Sequence, residues 1–204
     1  TDFQVIDTVK PNIVCAENTI KPADKDRCYY TAQGEEFNPI STSDNCKLQS
    51  INNDFNNSST LSNEKIPNNT SVIWTVIDSS GNKATCKTEI QVNDTQSPKF
   101  KCVGDQTRTA VSNSCFYTVS GTEFDPFDLS DNCSIKTITN DFNGKASLAG
   151  EKIYDYTQIN WTIIDAAGND STCSFSIRVT DNQKPIINCV GNQLKYSGHE
   201  SCEY

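Results

Sequence analysis

Methionine is absent from this chain, and histidine occurs once, at His199. A single imidazole rules out a Ser–His or Cys–His arrangement that recurs along the sequence. Together with the absence of any CxxC pair, it also makes zinc ligation a poor reading of the cysteines. Basic residues are few: 17 Lys and Arg stand against 26 Asp and Glu, a formal charge of -9. No basic stripe is available to displace counterions, so nucleic acid is not an expected partner. Long apolar runs are missing too, and no segment approaches the 18 or so apolar residues that a membrane helix needs. Hydrophobic residues make up only 35% of the chain, and the mean hydropathy is -0.57. So lean a composition points to thin-cored β-sandwiches rather than one thick α/β core. The missing methionine and leader are read as placing the start of the gene product outside this stretch.

Cysteine, by contrast, is plentiful. Ten in 204 residues is unusual for a reducing compartment, and paired disulfides outside the cytosol are the simplest expectation. Their spacing is periodic: Cys15, Cys102 and Cys189 lie 87 positions apart, as do Cys28, Cys115 and Cys202. The same step relates Cys46 to Cys133, Trp74 to Trp161 and Cys86 to Cys173, and it relates SDNCKLQSINNDFN (Ser43–Asn56) to SDNCSIKTITNDFN (Ser130–Asn143). Self-similarity at a fixed period marks a tandem array of small modules. The expected organisation is the last strand of a preceding copy at 1–6, full copies at 7–93 and 94–180, and the opening of a following copy at 181–204.

Within each copy the local pattern is β. Val72, Trp74 and Val76 alternate with outward residues, Asp78 to Asn82 make a turn, and Cys86, Thr88, Ile90 and Val92 alternate again. That is a hairpin with one buried face, repeated through Trp161, Ile163, Asp165, Gly168, Asn169, Cys173, Phe175, Ile177 and Val179. Cys28–Ala32 and Cys115–Val119 read as an earlier strand. About seven short strands per copy, separated by Asn, Gly and Pro turns, predict an all-β chain of tandem immunoglobulin-like sandwiches in an extended, disulfide-bonded array. The junctions DTVKP (Asp7–Pro11), DTQSP (Asp94–Pro98) and DNQKP (Asp181–Pro185) each end on a proline that fixes φ and limits swivel.

This pattern resembles the hyalin-repeat (HYR) family, in D-x-x-x-P at the junction, SDNC before a middle strand, W-T-[VI]-I-D-x-x-G-N-x-x-[TS]-C, and the closing I-x-V-x-D. The combination TEFDP, SDNC, ITNDFNG, LAGEKI and WTIIDAAGN is similar to repeats of giant surface adhesins of gliding bacteria. The resemblance implies an Ig-like sandwich, a secreted cell-surface location, adhesive or spacer roles and no catalysis. Four cysteines per copy, instead of two, depart from the simplest family members. An Ig-like strand order favours Cys15–Cys28 with Cys46–Cys86, repeated as Cys102–Cys115 with Cys133–Cys173, and Cys189–Cys202 in the partial copy. The two-cysteine relatives imply Cys15–Cys86 instead, which would leave Cys28–Cys46.

In an Ig-like sandwich the N-terminal junction, the loop before the middle strand and the last hairpin turn share one pole. That placement gathers Asp7, Asp44, Asn45, Asp78 and Asn82, and in the second copy Asp94, Asp131, Asn132, Asp165 and Asn169. Two readings remain open: a calcium site of converging oxygens that stiffens the junction, or turn residues capping their own backbone. The acidic pair Glu35–Glu36 becomes Thr122–Glu123 in the second copy and reads as solvated loop carboxylates rather than a glycan-cleaving pair. N-glycosylation tripeptides at Asn57, Asn69, Asn160 and Asn169 carry little weight in so Asn/Ser/Thr-rich a chain.

A non-catalytic stalk whose partners are neighbouring repeats accounts most directly for repetition at fixed length. A polysaccharide- or protein-binding module would need an exposed patch, for which Phe37, Phe55, Tyr154 and Tyr156 are the candidates. A third reading makes these accessory modules of a secreted enzyme.

Overall fold

The computed structural model describes residues 6–194, with Thr1–Val5 and 195–204 outside the described residues. The described part is all-β, with no helix. The first sandwich comprises β1 (Asn12–Val14), β2 (Thr19–Pro22), β3 (Tyr29–Thr31), β4 (Ser41–Ser43), β5 (Leu48–Asn53), β6 (Lys65–Pro67), β7 (Thr70–Asp78) and β8 (Lys83–Asn93). The second repeats the order as β9 (Lys99–Lys101), β10 (Gln106–Thr109), β11 (Phe116–Thr118), β12 (Phe127–Ser130), β13 (Ile135–Asn140), β14 (Lys152–Tyr154), β15 (Tyr156–Asp165) and β16 (Asp170–Thr180).

Strands pair only within their own set. A four-stranded sheet β2-β8-β7-β5 faces the pairs β1-β4 and β3-β6, and β10-β16-β15-β13 faces β9-β12 and β11-β14. The first and last strands of each larger sheet lie parallel, Thr19 beside Ile90 and Gln106 beside Ile177, and the remaining pairs are antiparallel. This is an immunoglobulin-like sandwich of eight strands, one more than the turn spacing suggests, because the opening strand is split into β1 and β2.

Period-two alternation selects the buried face. Val72, Trp74 and Val76 of β7, with Thr88, Ile90 and Val92 of β8, are buried while their neighbours point outward. Two separate cores result. One gathers around Trp74 with Phe37, Leu61 and Ile66; the other gathers around Trp161 with Phe124, Leu148 and Ile153. Trp161 Nε1 donates to the Phe124 carbonyl at 3.2 Å. Phe37, considered as a surface aromatic, is 1% exposed and belongs to the core. Lys21 and Glu36 form an ion pair beside the Phe37 ring, and Arg108 and Glu123 form its counterpart beside Phe124. The second carboxylate of the Glu35–Glu36 pair is thereby a structural partner, kept as Glu123.

The repeated NDFN motif has a structural task. Asn53 Oδ1 accepts the backbone N–H groups of Phe55 and Asn56, while its Nδ2 donates to Asn56 Oδ1 and the Ser58 carbonyl. Asn140 makes the same bonds with Phe142, Asn143 and Lys145. A buried amide that satisfies a whole loop is costly to remove. Asn140→Ala is expected to destabilise the second sandwich by about 2 kcal/mol, since it removes the partners of three partly buried backbone groups, at the low end of about 1–3 kcal/mol each; urea unfolding of the variant checks this.

The disulfides correct the expectation from strand order. Cys15 bonds Cys86 and Cys102 bonds Cys173, within the sandwiches, while Cys28 bonds Cys133 across them. None of Cys15–Cys28, Cys46–Cys86, Cys102–Cys115, Cys133–Cys173 and Cys28–Cys46 forms. Strand register explains why. Leu48 pairs with Asp78 and Trp74 with Cys86, so Cys46 is level with the hairpin turn. Cys86 is about six residues along, roughly 20 Å at about 3.3 Å per residue, far beyond disulfide reach. Cys28 precedes β3, whose first residue pairs with Pro67, at the pole where β8 ends; Cys46 lies at the opposite pole. Cys46, Cys115 and Cys189 are exposed thiols. The proposed partner of Cys189, Cys202, lies outside the described residues, as does His199.

Candidate functional site: the acidic pole at each junction

Each sandwich begins at a pole built from three loops. In the first, the segment before β1 supplies Asp7, the loop between β4 and β5 supplies Asp44 and Asn45, and the β7–β8 turn supplies Asp78 and Asn82. One oxygen from each of Asp7, Asp44 and Asp78 lies within 4.8 Å of the others, and Asp94, Asp131 and Asp165 are arranged likewise. The structure thus brings together the acidic residues that the sequence places at one pole.

Much of this cluster is tied to its own loops. Asp7 Oδ1 accepts from Val9 N at 2.9 Å and Asn45 Nδ2 at 3.2 Å. Asp44 Oδ2 accepts Cys46 N at 2.9 Å. Asp78, fully buried, accepts Ser80 N and Asn82 N on Oδ1 at 2.8 Å and Asn82 Nδ2 on Oδ2 at 2.7 Å. Asn82 Nδ2 also reaches the Asp7 carbonyl at 3.1 Å. These are the bonds of self-capping turns. The second pole reproduces them: Asp94 Oδ1 accepts Gln96 N and Asn132 Nδ2, Asp131 Oδ2 accepts Cys133 N, and Asp165 accepts Asn169 N and Nδ2.

Capping does not account for every oxygen. Asp7 Oδ2 and Asp44 Oδ1 are buried without a hydrogen-bond partner, and so are Asp94 Oδ2 and Asp131 Oδ1. The same atoms are orphaned in both copies, which sets them apart from chance. Unpaired buried oxygens are expensive, and here they converge with a third carboxylate. The backbone N–H of Val9 and the Asn45 amide hold the Asp7 carboxyl below the usual aspartate range. Burial works to raise Asp78, but the Asn82 amide and the turn's N–H groups outweigh it and leave the carboxyl lowered; Asp165 is held down in the same way by Asn169 and Gly168. The groups so lowered stay ionised at neutral pH, so the pole concentrates negative charge that no lysine or arginine neutralises among the described ion pairs. Hard oxygen donors of this kind are the donor set that calcium takes.

The second pole lies against the first sandwich. Cys133 bonds Cys28, Asn132 Nδ2 donates to the Arg27 carbonyl at 2.9 Å, and Gln96 bridges Asp26 N at 2.7 Å and the Asp24 carbonyl at 3.0 Å. Pro11 and Pro98 are buried beside their poles. The cross-junction bond is the feature sequence reasoning missed. The sequence reading starts a strand at Cys28, whereas β3 begins at Tyr29 and Cys28 lies in the loop before it, at the pole opposite Cys46. Among the aromatic candidates, Tyr154 and Tyr156 are well exposed, and Phe55 is exposed to a lesser degree.

No family model matches the chain. Hyalin of Strongylocentrotus purpuratus is 30% identical over 130 residues, which is 60% of this chain and 10% of hyalin. The chain therefore spans about a tenth of the length of that relative. Among solved structures, Drosophila N-cadherin EC1-4 aligns with 86% of this chain and 50% of its own at 14% identity and a TM-score of 0.38. Human protocadherin-24 EC1-2 aligns with 86% and 100% at 15% identity, also at 0.38. These structural likenesses are too remote to bear on function.

Proposed function

We propose that this chain is a non-catalytic stretch of the stalk of a long secreted cell-surface adhesin, of the kind used in surface attachment or gliding, organised as repeats over 7–93 and 94–180. The observation that carries the reading is the junction: a disulfide, a docked glutamine and an acidic pole fix one sandwich on the next. A spacer needs equivalent, stiff links and no unique chemistry. In keeping with this, the residues conserved between the two copies serve cores, turns and junctions, while exposed Tyr154 and Tyr156 stand where the first copy has Pro67 and Asn69. The partial hyalin similarity and the disulfides favour an extracellular place. Calcium at the two poles would add stiffness, with Asp7, Asp44 and Asp78, and Asp94, Asp131 and Asp165, as its carboxylate ligands. Small-angle scattering of the isolated chain, paired with a glycan array, tests this reading. A single elongated particle with fixed inter-sandwich orientation and no glycan binding is expected. Free swivelling in calcium, or specific capture of one glycan class, would reject it.

A further inference from the structure

The disulfide between Cys28 and Cys133 joins two sandwiches at positions that recur every 87 residues, which gives the exposed thiols Cys46 and Cys115 a defined meaning. Cys46 stands where Cys133 stands in the second sandwich, and Cys115 stands where Cys28 stands in the first. The loops around both repeat the hydrogen bonds of their bonded counterparts: Val111 N donates to the Phe116 carbonyl and Ser114 N to the Val111 carbonyl beside Cys115, as Asp24 N does to Tyr29 and Arg27 N to Asp24 beside Cys28. Cys46 N donates to Asp44 Oδ2 at 2.9 Å, as Cys133 N does to Asp131 Oδ2 at 2.8 Å. Asn45 Nδ2 donates to Asp7, as Asn132 Nδ2 does to Asp94, and Asn132 also donates to the Arg27 carbonyl of the first sandwich.

Independent support comes from the far end of the second sandwich. There Gln183 occupies the place of Gln96. Its Oε1 accepts Asn113 N at 2.7 Å and its Nε2 donates to the Val111 carbonyl at 3.2 Å, the same two bonds that Gln96 makes with Asp26 and Asp24. The receiving N–H is presented in both cases by a residue in the left-handed region, Asp26 at φ 56° and Asn113 at φ 59°. The next junction is therefore already docked as the first one is, two residues from Cys115.

We propose that Cys115 bonds the cysteine at the Cys133 place of a following copy, and that Cys46 bonds the cysteine at the Cys28 place of a preceding one. Every junction of the array then carries one covalent staple, and the chain is cross-linked from unit to unit as well as within units. The inference rests on reading the chain as part of an array, but not on what that array adheres to. Each staple forms by exchange with a small-molecule or enzymatic disulfide. The two protein thiols give up two electrons and two protons, their sulfurs join, and the oxidant's disulfide is reduced to two thiols.

A consequence is that four cysteines per unit leave no net thiol in the interior of the array. Lengthening the chain by an in-frame second copy of residues 94–180 tests this, after refolding in a glutathione redox buffer. The expected result is no gain in alkylatable thiols over the 204-residue chain and a new cross-unit peptide joining Cys115 to the Cys133 place of the inserted copy. Cys115→Ser in the lengthened chain then exposes one additional thiol, at that place, with the melting transition retained. A gain of two thiols, or a bond between the Cys28 and Cys46 places of one unit, overturns the proposal. Glycan binding or a flexible rod would instead count against the stalk reading and leave the staple standing.

Discussion

Calcium added to the chelator-treated chain is expected to raise its melting temperature by about 10 °C or more once it is in roughly hundredfold excess over its dissociation constant. Ligand binding to the folded state alone contributes about 2.7 kcal/mol at that excess, and sandwiches of this size shift by about 4–8 °C per kcal/mol. Magnesium is expected to do less, because it demands tight octahedral geometry and sheds water reluctantly. The informative variant is Asp44→Asn together with Asp131→Asn. In each, one side-chain oxygen already accepts the backbone N–H two residues on, and the other is the orphan. An asparagine keeps the cap and turns its amide nitrogen into the cluster, where it donates to the neighbouring carboxylates. The calcium response should vanish while the metal-free protein melts at the same temperature or higher. Identical melting of the wild-type chain in calcium and in chelator would show that these poles are turns and nothing more.

How much of this was legible in the sequence depended on whether the governing contact was local. The β7–β8 and β15–β16 hairpins were readable because a one-sided core imposes strict alternation on Val72, Trp74 and Val76 and on Phe175, Ile177 and Val179. The acidic pole was readable because the Ig-like strand order dictates which loops meet, whatever their side chains do. The work of Asn53 and Asn140 was not: an amide that closes a loop through four bonds looks, in sequence, like any other asparagine in a polar chain. The pairing expected from strand order failed for a different reason, while the Cys15–Cys86 bond implied by the two-cysteine relatives does form. Pairing was sought within one unit, whereas Cys28 and Cys46 sit at opposite poles and can only be reconciled by a contact between units. In a repeat protein the neighbour along the chain is part of each unit's folding environment.

The other large effect concerns the bridges inside the sandwiches. Replacing Cys102 and Cys173 together by alanine should cost the second sandwich about 4 kcal/mol, because the bond closes a loop of 71 residues whose freedom the unfolded chain regains. Both side chains also pack against the Trp161 core, so their removal loosens that core as well. Against the 5–15 kcal/mol typical of a whole domain, a loss of this size should bring the midpoint of urea unfolding down by a large fraction. Replacing Cys28 and Cys133 by serine makes the contrast. That bond closes a still longer loop, 105 residues, so its loss should lower the urea midpoint by a comparable amount and, unlike loss of Cys102–Cys173, should also free the relative orientation of the two sandwiches. The two double variants are therefore told apart by stiffness: both lower the midpoint, but only the Cys28 and Cys133 variant changes scattering and inter-sandwich order. If loss of the Cys28–Cys133 bond left scattering and inter-sandwich order unchanged, that bond would not be what fixes one sandwich on the next, and the stalk reading would lose its stiff link.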